Sequence, residues 1–347
     1  MSRGMKVFAT TAMQEAGVST YQPLFGRMAA QDRFGVHGLA GDAEEADFIL
    51  FLDGHQHYRD MELKAIRRHP LVLKYREKAF VYSEMDQPWC AMPGLYVSMP
   101  KTSFDARRQR ACSYLALPNS DITPSPEPGE KEALLFSFMG RGGNRTRERI
   151  LGLKHPRAHI ADTSNTDFFG SRSEAHAQQQ RAFAEVIARS KFVICPRGAG
   201  PSSFRIFETM AAGRVPVIVS DLWVAPAGPA WENCALFVKE RDIEGIGAIL
   251  EKYEASFSRM ARAARCEWEQ WFAPDVLFHR MTEGLKDIVE KRTAPESVLC
   301  REVSGRYLRL RARAVKAKLK EMLRAPRRSF ELKAADDVDL VDGVDTN

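Results

Sequence analysis

A chain of 347 residues, 44% hydrophobic and 28% charged, has the composition of a soluble globular protein with enough material for two cores. Of its net charge of +6, residues 301–333 contribute +9 and residues 334–347 contribute −5, so residues 1–300 carry +2. That near-neutral body argues against broad nucleic-acid binding, no run reaches the ~20 apolar residues of a membrane span, and the six scattered cysteines form no Cys-x-x-Cys pair of the zinc or disulfide-framework type.

Met5–Ala9 reads as a first buried strand, not as the apolar core of a signal peptide. Phe48–Leu52 is a second, closed by Asp53-Gly54-His55. Met61–His69 suits a helix. Ala79–Tyr82 is a third strand and runs into Ser83-Glu84-Met85-Asp86-Gln87-Pro88, and Leu95–Met99 suits another short one. Ligands of open α/β sheets sit at the C-terminal ends of strands. Asp53, His55, Glu84 and Asp86 therefore stand where a general base is needed in a displacement that inverts the reacting centre; one that retains configuration needs no such base. Glu84 and Asp86 lie two apart, on one side of an extended chain, and such pairing raises one carboxyl toward neutrality. His55-x-His57 and His155 with His159 have no Cys or carboxylate pattern beside them to make a metal site.

Pro118–Glu132 is rich in Pro and acid, with almost nothing apolar. It divides the chain into an α/β domain at 1–120, a linker at 121–132 and a second α/β domain at 133–275. The second opens on the strand Leu134–Phe138, the loop Gly140-Arg141-Gly142-Gly143-Asn144-Arg145 and a helix through Leu153, with a further helix at Ala177–Arg189.

Ser190–Asp221 is the most informative stretch: strand, glycine loop, helix, turn, strand. Gly198 and Gly200 lead to Ser202 and Ser203 at the start of a helix bearing Phe204, Phe207, Met210 and Ala211 at helical spacing. Free N–H groups and the positive end of the helix dipole make such a terminus an anion site. Arg197 and Arg205 add planar forks suited to phosphate, and Arg141 and Arg145 reach it from the neighbouring loop. Glu208, one turn after Arg205, suits the paired hydroxyls of a ribose. Asp221, at a strand end, suits a sugar hydroxyl or the cap of the next turn. The glycines match neither the dinucleotide fingerprint nor the Walker loop.

The whole string is more specific than its loop. Cys195-Pro196-x-Gly198, Ser203-x-Arg205-x-x-Glu208, Ala211-x-Gly213-x-Val215-Pro216-Val217-Ile218 and Asp221 closely resemble the C-terminal signature of the exostosin-type glycosyltransferases. The likeness continues through Trp223, Pro226, Trp231-Glu232 and Val238-x-Glu240-x-Asp242-Ile243. It is strongest over Ser190–Leu250, weaker over Leu134–Arg147, loose over 1–125 and absent over 295–347. The resemblance implies a GT-B arrangement: two Rossmann-like domains facing across a cleft, the first for the acceptor and the second for a nucleotide sugar, with helix 276–290 crossing back. It also implies a UDP-linked donor and a glycan or lipid-linked acceptor; the loop chemistry by itself indicates only a diphosphate.

Two alternatives accompany this reading: a GT-B enzyme with a GDP-sugar donor, and a catalytically silent homologue that binds glycan or nucleotide. The sole Asp-x-Asp, Asp337-Val338-Asp339, lies in the acidic tail after no strand. The donor site is therefore expected to work without metal or other cofactor.

The basic tail forms its own unit. Leu308, Val315, Leu319 and Met322 make an apolar stripe among Lys and Arg, so 296–333 reads as a basic amphipathic helix. Its segment 301–328 suits an anionic membrane surface, and 334–347 is expected to be disordered. The expected setting is the cytoplasm, peripheral to the inner face of the membrane, with no specific nucleic-acid partner.

Overall fold

Strands buried on both faces have no need of alternation, and the apolar runs of this chain show where they lie: every residue of Phe48–Phe51, Ala79–Ser83 and Val215–Val219 is buried. The computed structural model describes residues 3–12, 21–53, 63–86, 88, 91–115, 119–124, 134–164, 174–302 and 305. Residues 125–133, most of the expected linker, and almost all of the basic and acidic tail lie outside the described residues. Residues 1–303 form one compact unit, which contains two all-parallel sheets.

The first sheet takes β1 (Lys6–Thr10), β2 (Gly38–Leu39), β3 (Phe48–Phe51), β4 (Ala79–Ser83), β5 (Gly94–Tyr96) and β6 (Gln109–Ala111) in the order β2-β1-β3-β4-β5-β6. The second takes β7 (Leu134–Gly140), β8 (Ala158–Asp162), β9 (Ser190–Pro196), β10 (Val215–Val219) and β11 (Leu236–Phe237) in the order β11-β10-β9-β7-β8. Each sheet reverses direction once, between β1 and β3 and between β7 and β9. A crevice opens at such switch points because the two flanking connections leave on opposite faces. The α/β architecture with two Rossmann-like sheets is thus the one the sequence indicates.

The helices are α1 (Gln22–Ala30), α2 (Lys64–Arg68), α3 (Pro70–Lys74), α4 (Arg145–Leu151), α5 (Glu174–Ala188), α6 (Phe204–Ala211), α7 (Trp231–Cys234), α8 (Ile246–Tyr253), α9 (Phe257–Trp271) and α10 (Pro274–Glu290). Helix α10 starts with Pro274 in its first turn, where a missing N–H costs nothing, and Asp275 there favours the dipole. It follows the second sheet in sequence but packs on the first. Leu277, Phe278, Met281, Leu285 and Ile288 join Val7, Phe25, Phe48, Leu50 and Phe80 in one core. Burying five such side chains contributes on the order of 10 kcal/mol before entropy is counted.

The two sheets approach each other through specific contacts. Tyr114 stacks on Phe204 with ring centroids 3.7 Å apart. The Lys101 N–H donates to the Leu222 carbonyl at 2.8 Å, and the Ser202 N–H donates to Ser98 Oγ at 3.1 Å.

Candidate functional site

The site grows from the switch point between β7 and β9. Their carboxyl ends carry the loops that lead into α4 and α6, so these two helix starts lie side by side. At the first, Asn144 caps α4 by accepting from the Arg147 N–H at 3.0 Å, and its amide donates to the Gly198 carbonyl at 3.2 Å. At the second, Ser203 holds the N-cap position of α6 without a side-chain cap bond. Ser202 is 4% exposed, and its Oγ has no hydrogen-bond partner among the described residues. A buried hydroxyl beside uncapped helix N–H groups is a polar cradle. Gly200 faces the first sheet at close range. A Cβ there would lie 2.6 Å from Asp86 Cα and closer still to the Asp86 carbonyl and Ser98 Oγ, so no side chain fits.

Three arginines surround the cradle. Arg147 is half-buried; its Nε donates to the Arg197 carbonyl at 3.0 Å. Burial, with Arg205 and Arg197 nearby, pulls its guanidinium down to about 10 against the opposing pull of Asp86. Arg197 donates through Nε to both carboxylate oxygens of Glu240 at 3.0 Å. Arg205 lies between the Phe138 and Phe183 rings and donates through Nε and Nη2 to the Met139 carbonyl at 3.1 and 2.7 Å. Burial lowers its pKa, and Glu208 opposes that. Arg205 thus ties α6 to the end of β7 through Nε and Nη2. Glu208, expected to meet a ribose, is raised by burial against the pull of Arg205, and the Asn119 N–H reaches it at 3.5 Å.

Arg141 and Arg145 are corrected. Both are exposed, and Arg147, absent from the sequence expectation, takes the inward position. Helix geometry explains the exchange. Arg145 and Arg149 are four apart and share a face; Arg149 pairs with Glu244, whereas Arg147 is turned ~200° from Arg145. Asp221 serves as a cap: its Oδ1 accepts from the Glu240 N–H at 3.1 Å, and its own N–H reaches Glu240 Oε1 at 3.4 Å. Glu240, which the sequence places in the family string without a role, is the hub. Burial alone would raise its pKa, but Thr146 Oγ1 at 2.6 Å and Arg197 hold it below the usual range.

Across the cleft, the three expected acids separate. Asp53 is fully buried and accepts from the Ala12 N–H at 2.7 Å, which fastens the end of β3 to the end of β1. Glu84 is 7% exposed and accepts from Tyr21 Oη at 2.6 Å, from Tyr82 Oη and from the Leu115 N–H at 2.9 Å. Neither is placed to take a proton from a substrate, which corrects the expectation for both. Asp86 remains half-buried beside Gly200 and Arg147. Its carboxyl is pushed up by burial, against the Gly200 N–H and Arg147. The expected pairing with Glu84 is not the cause, since the extended chain does not continue past β4 and the two side chains find different partners.

The Exostosin GT47 domain matches residues 67–253. The chain belongs to the Exostosin GT47 domain family. The match takes in Glu84, Asp86, Arg147, the whole β9–α6–β10 unit and Glu240, and leaves out Asp53 and α10. Among curated proteins, the exostosin-1 homolog of Caenorhabditis elegans is 40% identical over 70 residues, covering 20% of this chain and 18% of that protein. The probable glucuronoxylan glucuronosyltransferase IRX7 of Arabidopsis thaliana is 38% identical over 92 residues, covering 25% and 20%. These matches span about a fifth of each relative's length. Among solved structures, Anabaena HepE in complex with UDP-glucose aligns over 81% of this chain and 99% of that one, at 12% identity and a TM-score of 0.41.

One group of ligand-type residues occurs among the described residues: His37, His279 and Glu283. It does not suit a cation. His37 Nδ1 accepts from the Met5 N–H at 3.1 Å, so the neutral ring carries its proton on Nε2, 2.9 Å from Glu283 Oε1. That nitrogen has no lone pair to offer.

Proposed function

We propose that the chain is a glycosyltransferase that moves a sugar from a nucleoside-diphosphate donor, UDP-linked, to a hydroxyl of a glycan or lipid-linked acceptor, without a metal ion. The observation that carries this reading is the meeting of a cation-rich, uncapped helix start with one elevated carboxyl: Ser202 and Arg147 on one side, Asp86 on the other. The family membership and the glucuronosyltransferase relatives support it. In this reading the donor's diphosphate lies over the N-terminus of α6. As the acceptor oxygen bonds to the anomeric carbon, the bond from that carbon to the diphosphate breaks and its electron pair leaves with the phosphate. Arg147 and the α6 N–H groups stabilise that charge. Asp86, its carboxyl raised by burial, takes the acceptor's proton.

Arg147 and the helix start stand where a divalent cation would otherwise offset the leaving charge, which is the basis for the metal-free proposal. The cytoplasmic setting belongs to the same reading. Among the described residues no helix is long and apolar enough to cross a membrane. The proposed docking segment, 301–328, lies outside the described residues except for residues 301, 302 and 305.

The test is calorimetric binding of UDP- and GDP-sugars, with and without EDTA, to the wild type and to Arg147→Ala, together with turnover on an acceptor panel. A UDP-sugar that binds in EDTA, binds far less well to the variant and is turned over supports the reading. Binding without turnover in Asp86-intact protein favours the silent homologue, and binding that ignores Arg147 removes the donor site from this loop.

A further inference from the structure

The first sheet has a second cation-rich concavity, at the amino ends of β4 and β5. Its walls come from α2, from the turn before β4 and from the segment just before β5, whereas Asp86 follows the carboxyl end of β4. The cavity holds about 300 Å³ and is lined by Lys64, Arg67, Arg68 and Arg76, over an apolar floor that includes Met92 and Pro93. The one acid among the described lining residues, Glu296, is 3% exposed and is neutralised by Arg108, whose Nε lies 3.1 Å from both of its carboxylate oxygens. The neighbouring Glu77 is also engaged. It accepts from the Glu296 N–H at 3.0 and 3.1 Å and from Arg292 Nη1 at 3.1 Å. Arg68 and Arg76 are exposed and have no counter-charge among the described residues.

Arg68 and Arg76, both without counter-charge, stand at one concavity beside Lys64 and Arg67, and the apolar floor weakens the screening that would relieve the unpaired two. An anion removes that cost, and guanidinium forks match the oxygens of a phosphate group. We infer that this pocket binds a phosphate-type anion, at a site distinct from the cleft and independent of the function proposed above. The volume suits a phosphate or diphosphate group carried on a small apolar or sugar residue. The same chemistry is offered by a soluble phosphorylated compound and by a phospholipid headgroup.

The test uses pyrophosphate as probe on the full chain, by calorimetry, with wild type, Arg68→Glu/Arg76→Glu and Arg147→Ala compared. The inference expects a binding component that survives Arg147→Ala and weakens about 100-fold in the charge-reversed pair. Arg68→Gln/Arg76→Gln should show a smaller loss. Both positions are exposed, and unchanged melting curves would establish that the variants fold. Calorimetry with a short-chain, monomeric phosphatidate, which offers the headgroup without a bilayer surface for the basic tail, separates the sources. Phosphatidate binding lost in the charge-reversed pair identifies a headgroup, and pyrophosphate binding without phosphatidate binding identifies a soluble ligand. Pyrophosphate binding that is unchanged in the charge-reversed pair, or absent altogether from Arg147→Ala, overturns the inference.

Discussion

The loop after β9 and the loop after β4 meet at Gly200 and Asp86, yet they are held in different ways. The first is shaped by backbone: two glycines, an uncapped helix start and a buried serine hydroxyl, with the arginines anchored to carbonyls and to Glu240 around it. The second is shaped by side chains. Glu84 is saturated by two tyrosines and a backbone N–H, and this fixes the strand end from which Asp86 projects. A backbone cradle suits a ligand that is the same in every turnover, such as a diphosphate. A single carboxyl on a braced strand end suits a proton transfer, where one atom must be placed and its pKa set. The comparison teaches that neighbouring acids can divide the work, one structural and one available.

The largest test of that division is Asp86→Asn. Loss of a general base should lower kcat by about 10³-fold with donor binding retained. The acid limb of the wild-type profile should lie above the ordinary aspartate range, since burial raises this carboxyl and the reaction needs it ionised. The sign for stability is opposite to that for activity. A carboxyl whose folded pKa is raised lowers stability when ionised and relieves that cost as pH falls through the folded value. The Asn variant should therefore be the more stable protein at neutral pH, with the difference closing in acid, as urea melts would show.

Arg147→Ala comes next, with kcat/KM reduced about 100-fold and donor affinity reduced as well, whereas Arg147→Lys should recover part of both. An effect on kcat with no loss of donor binding would move Arg147 out of the cradle. Gly200→Ala strikes the contact between the loops. Its Cβ meets backbone that cannot rotate away, so chemical denaturation should show a loss of about 1–3 kcal/mol. Glu84→Gln should cost about 1–2 kcal/mol through the buried network while leaving the pH of half-maximal activity where it was. A shifted profile would restore Glu84 to the chemistry.

Much of this was legible in the residues. Apolar runs such as Phe48–Leu52 and the cluster Pro196–Pro201 determine strands and loop by local sterics, and the string from Cys195 to Asp221 carries the family likeness that the domain match bears out. What escaped depends on distance in sequence. Arg147 differs from Arg145 only in its angle around α4, which matters once β7 and β9 lie together. Glu240 stands in the family string, but its role emerges only when Arg197, 43 residues earlier, folds onto it. Glu84 and Asp86 looked equivalent because nothing local announces that Tyr21, 63 residues away, will claim the first. Asp53 likewise looks available until Ala12 takes its oxygen.

The path of α10 has a consequence for how the protein is made. Five apolar side chains between Leu277 and Ile288 complete the core that Val7, Phe25 and Phe80 begin. A ribosome therefore finishes the whole second sheet before the first can close. Until then, nascent β1, β3 and β4 present one uncovered greasy face, the surface that chaperones recognise and that aggregation exploits. A chain stopped before Pro274 should for this reason lose the first sheet, and not merely its last helix.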